Sequence, residues 1–549
     1  MTRSEKRVVG VLAALLAALG LWALFARSLW TPDEPRVAGI AREMLDHGDW
    51  ASPTLNGVPF TEKPPLYFWC AALSIKAFGV RDWAPRLPAF AFGLGALAFT
   101  YLLGARLAGA RAGAVSALVL ATSARFFQTS QWVMVDSAVG CAGAAALYFL
   151  VLCREETEGG PELWHCFGLW VACTVAFMSK SLPALVAPGA AIFSLVLVKR
   201  RLWWVLGLRP WLGAIIFAVV AGPWLCVVAS NGWLAEHIDA HILTRIGQGA
   251  AGHRQPFYFY LRAFPLNFLP WTVMLVPAAM HFWRERGSGT AESRGAVKIL
   301  ACWLVGGLIA YSIPSTKRAL YLMPVFPAAA LLTGLFIDSL LEGRTPDRAC
   351  RVFMWALLVV SAVVAMAWPL YALLGGELLV PAVVVLCAAV ASVAASIDGF
   401  YSDNMRQYWA AIGATFAIGV LGTVIAAMTM LRPMKSTRPY SQVLSRAVCA
   451  SGEEEVRIIG FSPDETLKGL VSFHTGRRMV STKSPGLAAR AMAGEGRVLV
   501  LTMAKTGDLF RARDVLSAEG IIWHEITMIG NRRVGVAAAN FVPAGAAPD

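Results

Sequence analysis

Arg7-Val-Val-Gly-Val-Leu-Ala-Ala-Leu-Leu-Ala-Ala-Leu-Gly-Leu-Trp-Ala-Leu-Phe25 is the stretch on which the fold turns. Arg3, Lys6 and Arg7 precede or open it, as in a signal peptide, and a cleaved signal would end at a small-residue site. This run instead continues into Arg27, Trp30 and an acidic loop. It reads as an uncleaved first helix with a cytoplasmic N-terminus.

The rest of the chain repeats the pattern. Of its 549 residues 57% are apolar and only 15% are charged, too little polar surface for a water-soluble fold of this size. Apolar runs long enough to span a bilayer recur to about residue 430, roughly thirteen of them, several shorter than a perpendicular span needs. An odd count puts the C-terminus outside. The net charge of +14 suggests nucleic acid until its placement is read. Arg106/Arg111, Lys199-Arg200-Arg201, Arg284/Arg286 and Arg344/Arg348/Arg351 all fall in short interhelical loops on one side, the positive-inside pattern, which calls for no nucleic acid. The ten cysteines form neither a metal pattern nor a disulfide framework; most sit in apolar runs as small hydrophobes.

Two outer loops are long, about 28–82 and 230–266, and long ordered loops are rare unless functional. The first contains Val37–His47, which reads as an amphipathic helix lying at the membrane surface. After Arg432 the composition becomes that of a soluble segment. Val456–Phe461, Val498–Thr502, Ile521–Ile526 and Arg533–Ala538 read as strands, with helices at Asp464–Phe473 and Asp508–Glu519 between them. The domains expected are thus a transmembrane domain over 1–435, carrying the two loops, and an extracytoplasmic α/β domain over 436–549. No Gly-rich nucleotide motif occurs in that second domain, which is expected to cover the membrane site or dock an acceptor.

Chemistry gathers in the first loop. Trp30-Thr-Pro-Asp-Glu-Pro-Arg36 places two carboxylates at a membrane face, suited to a base, a cation site or a metal site; the bland reading is a helix N-cap. Leu55-Asn-Gly-Val-Pro-Phe-Thr-Glu-Lys-Pro-Pro-Leu-Tyr-Phe-Trp69 follows, then Val133-Met-Val-Asp136, Met178-Ser-Lys180 and Tyr311-Ser-Ile-Pro-Ser-Thr-Lys-Arg-Ala-Leu-Tyr-Leu-Met-Pro324. Together these blocks resemble the lipid A 4-amino-4-deoxy-L-arabinose transferases and, more widely, the polyprenyl-phosphate-dependent GT-C glycosyltransferases similar to protein mannosyltransferases. The resemblance covers roughly residues 20–340.

It implies a polytopic α-helical GT-C membrane protein of about 13 transmembrane helices with a small C-terminal extracytoplasmic α/β domain. It implies transfer of a sugar from a polyprenyl (undecaprenyl) phosphate to an extracytoplasmic acceptor, first of all aminoarabinose to lipid A, at a bacterial inner membrane. Asp33 would be the principal carboxylate, with Glu34 beside it, and Asp136 the second acidic position. Arg36, Lys63, Lys180 and Arg245 would grip phosphate, Lys317 would join them, and Tyr321 would face the carrier. A divalent site (zinc or magnesium) is implied at Glu62 and His241, with His253 as the competing choice. Physical chemistry suits the reaction: the carrier phosphate leaves as an anion that fixed cations stabilise, and the sugar–phosphate bond supplies the energy without a nucleotide.

Two positions depart from the pattern. Phe60 stands where a tyrosine is expected, and Ser315 where aminoarabinose transferases tend to have lysine, with Lys317 two residues on. Two rivals remain: transfer of mannose or another hexose to protein or a surface glycan, and a lipid-linked sugar flippase. A transporter would favour related halves with ionisable groups near the midplane; here charges crowd at the outer face.

Overall fold

The computed structural model describes residues 3–153, 161–200, 202–235, 254–285, 291–375, 379–426, 428, 435–438, 441–442, 444, 457–484, 487, 498–505, 523–529 and 532–539. Backbone contacts divide the chain into two compact units, Met1–Trp22 with Glu62–Pro64 and Ala89–Ala426, and Ala23–Thr61 with Pro65–Pro88 and Ala427–Asp549. This grouping does not follow the boundary at 435 expected from composition: most of the first loop goes with the C-terminal segment.

The first unit is helical because nothing else satisfies a backbone in hydrocarbon. Seven helices are long and apolar enough to cross a membrane, or up to nine if each of two bent pairs is one span, by length and composition among the described residues. They include α4 (Leu87–Ala121) and the helices Ala319–Leu341, Arg348–Leu374 and Met405–Ala426. α4 joins two runs that read as separate spans. It breaks at Ala108–Gly109, where Gly109 takes φ +86, a conformation with little penalty for a residue lacking Cβ. The two bent pairs are Pro210–Val220 with Gly222–Ser230, at 50°, and Phe259–Asn267 with Thr272–Arg284, at 106°.

Packing of this unit relies on stacked rings and small residues. Phe268 stacks on Phe264 at 5.6 Å and on Phe326 at 5.9 Å, and the buried Trp303 donates its indole N–H to the Pro324 carbonyl at 2.8 Å. A Cβ at Gly334 would lie 2.3 Å from the Ser116 hydroxyl, so the two helices approach backbone to backbone, as small residues allow in membranes. Val219, Val363 and Val380 remain exposed, the surface lipid would cover, and Trp164, Trp203 and Trp283 stand exposed near helix ends in the manner of an aromatic belt.

The second unit is built on a five-stranded sheet of order β4-β3-β5-β7-β6: β3 Arg457–Phe461, β4 Val480–Thr482, β5 Val498–Lys505, β6 Trp523–Ile529 and β7 Arg532–Ala539. β3 runs parallel to β4 and β5, while β7 is antiparallel to β5 and β6. β4 is a strand that sequence reading missed, and the helix expected over 508–519 lies outside the described residues. Between β3 and β4 the helix Glu465–Thr475 is capped by Asp464, which accepts from the Leu467 N–H at 2.8 Å, and ends at Gly476 in the left-handed region.

Against that helix packs α2 (Asp33–His47). The amphipathic helix expected to lie on the membrane surface thus buries Val37, Ala38, Ile40, Ala41 and Met44 in protein. The periodicity was legible; an apolar stripe does not say whether lipid or protein covers it. The contact is close at Gly39, where a Cβ would meet the Gly469 backbone at 2.6 Å. Main chain from residues 435–437 adds to the unit, with the Thr31 N–H donating to Lys435 O at 3.1 Å and Thr437 N–H to Leu29 O at 3.2 Å.

Candidate active site

Within the second unit the Asp-Glu pair divides by environment. Glu34 is fully buried. Arg27 grips it with two hydrogen bonds of 2.6 and 2.8 Å, Arg86 with two of 3.1 and 3.0 Å, and the Trp30 N–H adds one of 2.7 Å. Burial pushes its carboxyl pKa up, yet the two guanidiniums outweigh burial and hold it at about 2. Arg27 is driven down to about 10 by burial and by Arg86, against the pull of Glu34. Arg86 also donates to the carbonyls of Arg27 (2.8 Å), Leu24 (3.3 Å) and Ser28. Every lone pair of Glu34 is thus directed at protein. Its geometry is that of a structural knot, and the catalytic role expected for it does not fit; Asp33 is the member of the pair that faces outward.

Asp33 keeps 26% side-chain exposure and accepts from Arg36 at 2.7 Å. Arg36, read as a phosphate grip, reaches the other way to Glu465 at 2.6 Å and lies 5.7 Å over the Phe60 ring. Glu43 anchors the neighbouring turn, accepting from Thr54 (2.8 Å), the backbone of Asn56 (2.5 Å) and Gly57 (3.0 Å), and Ser472 (2.6 Å). None of Arg27, Arg86, Glu465 or Glu43 was given a role from sequence; for Arg86 and Glu465 the partners Glu34 and Arg36 lie 52 and 429 residues away.

The other expected residues gather in the first unit. α6 (Asp136–Leu152) and α7 (Leu163–Lys180) form a helical hairpin, so the first residue of one meets the last of the other. Asp136 and Lys180 form a buried ion pair there, their side chains 8% and 9% exposed. The Lys180 ammonium also lies 4.5 Å over the ring of Tyr321, a cation–π contact. Tyr321 reaches this point because α6 offers Gly143, where a Cβ would lie 2.7 Å from that of Pro324. Arg125, missed from sequence, is within electrostatic reach of Asp136 and is held by Asn267 at 2.6 Å and Gln128 at 2.7 Å.

Lys317 is buried and donates to the carbonyls of Gln255 (3.0 Å) and Pro314 (2.5 Å). With the pairing of Arg254 and Thr316, and the Gln255 N–H donating to Ser315 O at 3.1 Å, it ties the end of the second loop to the Tyr311–Pro324 block. Glu62 is exposed and Lys63 half-buried. Arg245, His241 and His253 lie outside the described residues, and among those described no three His, Cys, Asp or Glu side chains converge as metal ligands.

The first unit is thus a bundle of apolar helices with a buried Asp136–Lys180 pair at a hairpin end. The crystal structure of ArnT from Cupriavidus metallidurans bound to undecaprenyl phosphate superposes with a TM-score of 0.76 over 99% of this chain and 100% of that one, at 20% identity; its apo form gives 0.75. In sequence, the dolichyl-phosphate-mannose-protein mannosyltransferase family matches residues 62–226. The undecaprenyl phosphate-alpha-4-amino-4-deoxy-L-arabinose arabinosyl transferase of Pectobacterium carotovorum subsp. carotovorum (strain PC1) is 30% identical over 368 residues, 65% of this chain and 64% of that protein. Arabinosyl transferase 1 of the same description from Sodalis glossinidius (strain morsitans) is 32% identical over 351 residues, 61% and 60% of the two chains. The matched region therefore spans a little under two thirds of these relatives. The resemblance carried by the motifs is found again over the matched part of the sequence and in the fold of the chain.

Proposed function

We propose that the chain is an inner-membrane glycosyltransferase that takes 4-amino-4-deoxy-L-arabinose from undecaprenyl phosphate and attaches it to lipid A. The observation that carries the reading is the buried Asp136–Lys180 pair against Tyr321, in a chain of which 65% is similar in sequence to a transferase of that sugar. Supporting topology would be about thirteen spans, N-terminus in the cytoplasm, with residues 436–549 as a periplasmic α/β domain.

An ammonium paired with one carboxylate still has donors to present to a second anion, which is what a leaving polyprenyl phosphate becomes. Lys63 and Arg245 would share that anion. Asp33, partly exposed and oriented by Arg36, would take the proton of a hydroxyl acceptor; toward a phosphate acceptor, already anionic, it would hold the sugar or its amino group. Glu62 is an exposed carboxylate open to a cation, and with His241, or His253 in its place, it would hold zinc or magnesium, which when bound would offset phosphate charge. The match to protein mannosyltransferases favours mannose transfer to protein as the second reading. Mass spectrometry of lipid A and of envelope glycoproteins from cells with and without the gene separates the two. Aminoarabinose on lipid A only when the gene is present supports the first; an unchanged lipid A with altered glycoproteins overturns it.

A further inference from the structure

The second unit also holds a polar cleft outside the candidate active site. It has a volume of about 260 Å³ and lies just past the end of α1 (Arg3–Phe25), lined by Arg27, Ser28, Arg81, Asp82, Ser436 and Arg438 among others. Its charges are unequal. Arg27 is committed to Glu34. Arg81 and Arg438 are exposed, and their guanidiniums make no hydrogen bond or ion pair among the described residues. Asp82, the one acidic residue lining the cleft, is turned towards His474, 3.9 Å away. With Arg86 behind the wall, four guanidiniums face two carboxylates, Glu34 and Asp82, leaving an excess of positive charge at the opening. Ser28 and Ser436 share a hydrogen bond of 2.7 Å in the wall and offer hydroxyls beside the cations.

The surroundings say what kind of anion fits. Phe25 and Phe78 pack on Trp83 at 5.0 and 5.2 Å, yet stay 52% and 48% exposed. Exposed rings beside free guanidiniums at the end of an apolar helix are the pattern of a membrane interface, where the rings sit among headgroups and the cations meet phosphate. A soluble anion has no use for the apolar rim; a lipid uses both.

We infer that this cleft binds the phosphate headgroup of a membrane lipid, with Arg81 and Arg438 as the ligands and the Phe25–Phe78–Trp83 rim against its acyl region. Assignment to the outer leaflet rests on the topology proposed above. The acceptor lipid of the transfer reaction is one such molecule, and an anionic phospholipid is another.

Native mass spectrometry of the purified full chain tests this without using turnover, so failure of the proposed reaction would leave the readout standing. Phosphatidic acid, phosphatidylglycerol, lipid A and phosphatidylcholine are offered separately. Wild type should retain the three anionic lipids over phosphatidylcholine. R81A/R438A should lose that preference by about 10- to 30-fold, the scale of two interfacial cations, and R81K/R438K should recover most of it. Retention of lipid A well above phosphatidic acid assigns the cleft to the acceptor; equal retention assigns it to anionic lipid in general. Undiminished retention in R81A/R438A overturns the site. So does competition by inorganic phosphate as effective as that by lipid, because the apolar rim would then have no part. Both arginines are exposed and their guanidiniums make no bond among the described residues, so the variants should fold, which thermal unfolding in detergent checks.

Discussion

Glu34 holds its charge where water does not reach, and that fixes what its replacement does. Glu34→Gln leaves Arg27 and Arg86 buried without a counter-charge, and breaking such a pair costs about 3–5 kcal/mol. Thermal unfolding in detergent should fall clearly and membrane levels with it. The pH dependence follows the same knot. A carboxyl held at about 2 when folded, against an ordinary value of 4.5, contributes stability that is complete above pH 4.5 and is lost as pH falls towards 2. Tryptophan fluorescence of the folded protein should stay flat from pH 7 to 5 and change below that window; an early transition near pH 6 would place the sensitive group elsewhere. Asp33 is the contrasting case. Asp33→Asn should reduce turnover by about 100-fold or more, the scale of a positioned acid–base group, with normal membrane level and unfolding temperature. Sequence alone put these two neighbours together as candidates. Their separation into structural and outward-facing roles was not legible, because Arg86 lies 52 residues away from Glu34.

At the scale of elements, the contact between α2 and the helix Glu465–Thr475 is the one most open to test. A Cβ at Gly469 would lie 2.3 Å from Pro35 O, and one at Gly39 2.6 Å from Gly469. Gly469→Val should therefore push the helices apart, at about 1–3 kcal/mol for overpacking, and pull Glu465 away from Arg36. Limited proteolysis should then cut within 457–484 faster than in wild type; unchanged cleavage would mean the contact is not held in solution. Much at this scale was legible. The apolar runs, the amphipathic α2, the strands at 457–461, 498–505 and 532–539 and the helix that follows Asp464 all follow from periodicity and local chemistry. What periodicity could not supply was pairing: which surface covers α2, that two runs join into α4, and that 319–325 would bring Tyr321 over Lys180. Those depend on glycines that let backbones approach, and a glycine in an apolar run looks the same whether it meets lipid or a partner.

For the whole molecule, composition suggests two domains in series, whereas contacts group the first loop with the C-terminal segment. A chain ending near residue 435 would leave Val37, Ile40 and Met44 without their cover. Such a truncation should lose the ordered first loop and with it transfer, beyond any effect on acceptor docking. Hydrogen exchange over residues 33–47 should rise from protected to fast in the truncated protein; protection retained there would show that α2 folds without the C-terminal segment. The motif blocks that carry the resemblance lie in the first 340 residues, and they were readable because each sets charge in an otherwise apolar chain, three of the five beside proline and aromatic residues. The sugar and acceptor were legible only through resemblance, since no spacing of residues encodes them.

Transfer from a polyprenyl-phosphate sugar by these residues is open to direct measurement. Purified protein in lipid nanodiscs, given undecaprenyl phosphate-linked aminoarabinose and lipid A, measures it directly by mass spectrometry of the lipid product. Lipid A carrying the sugar is expected with wild type, with a loss of about 100-fold or more in Asp33→Asn and a similar loss in Lys180→Met. Wild-type protein that is folded, yet forms no product from this donor or from a polyprenyl-phosphate mannose, would contradict it.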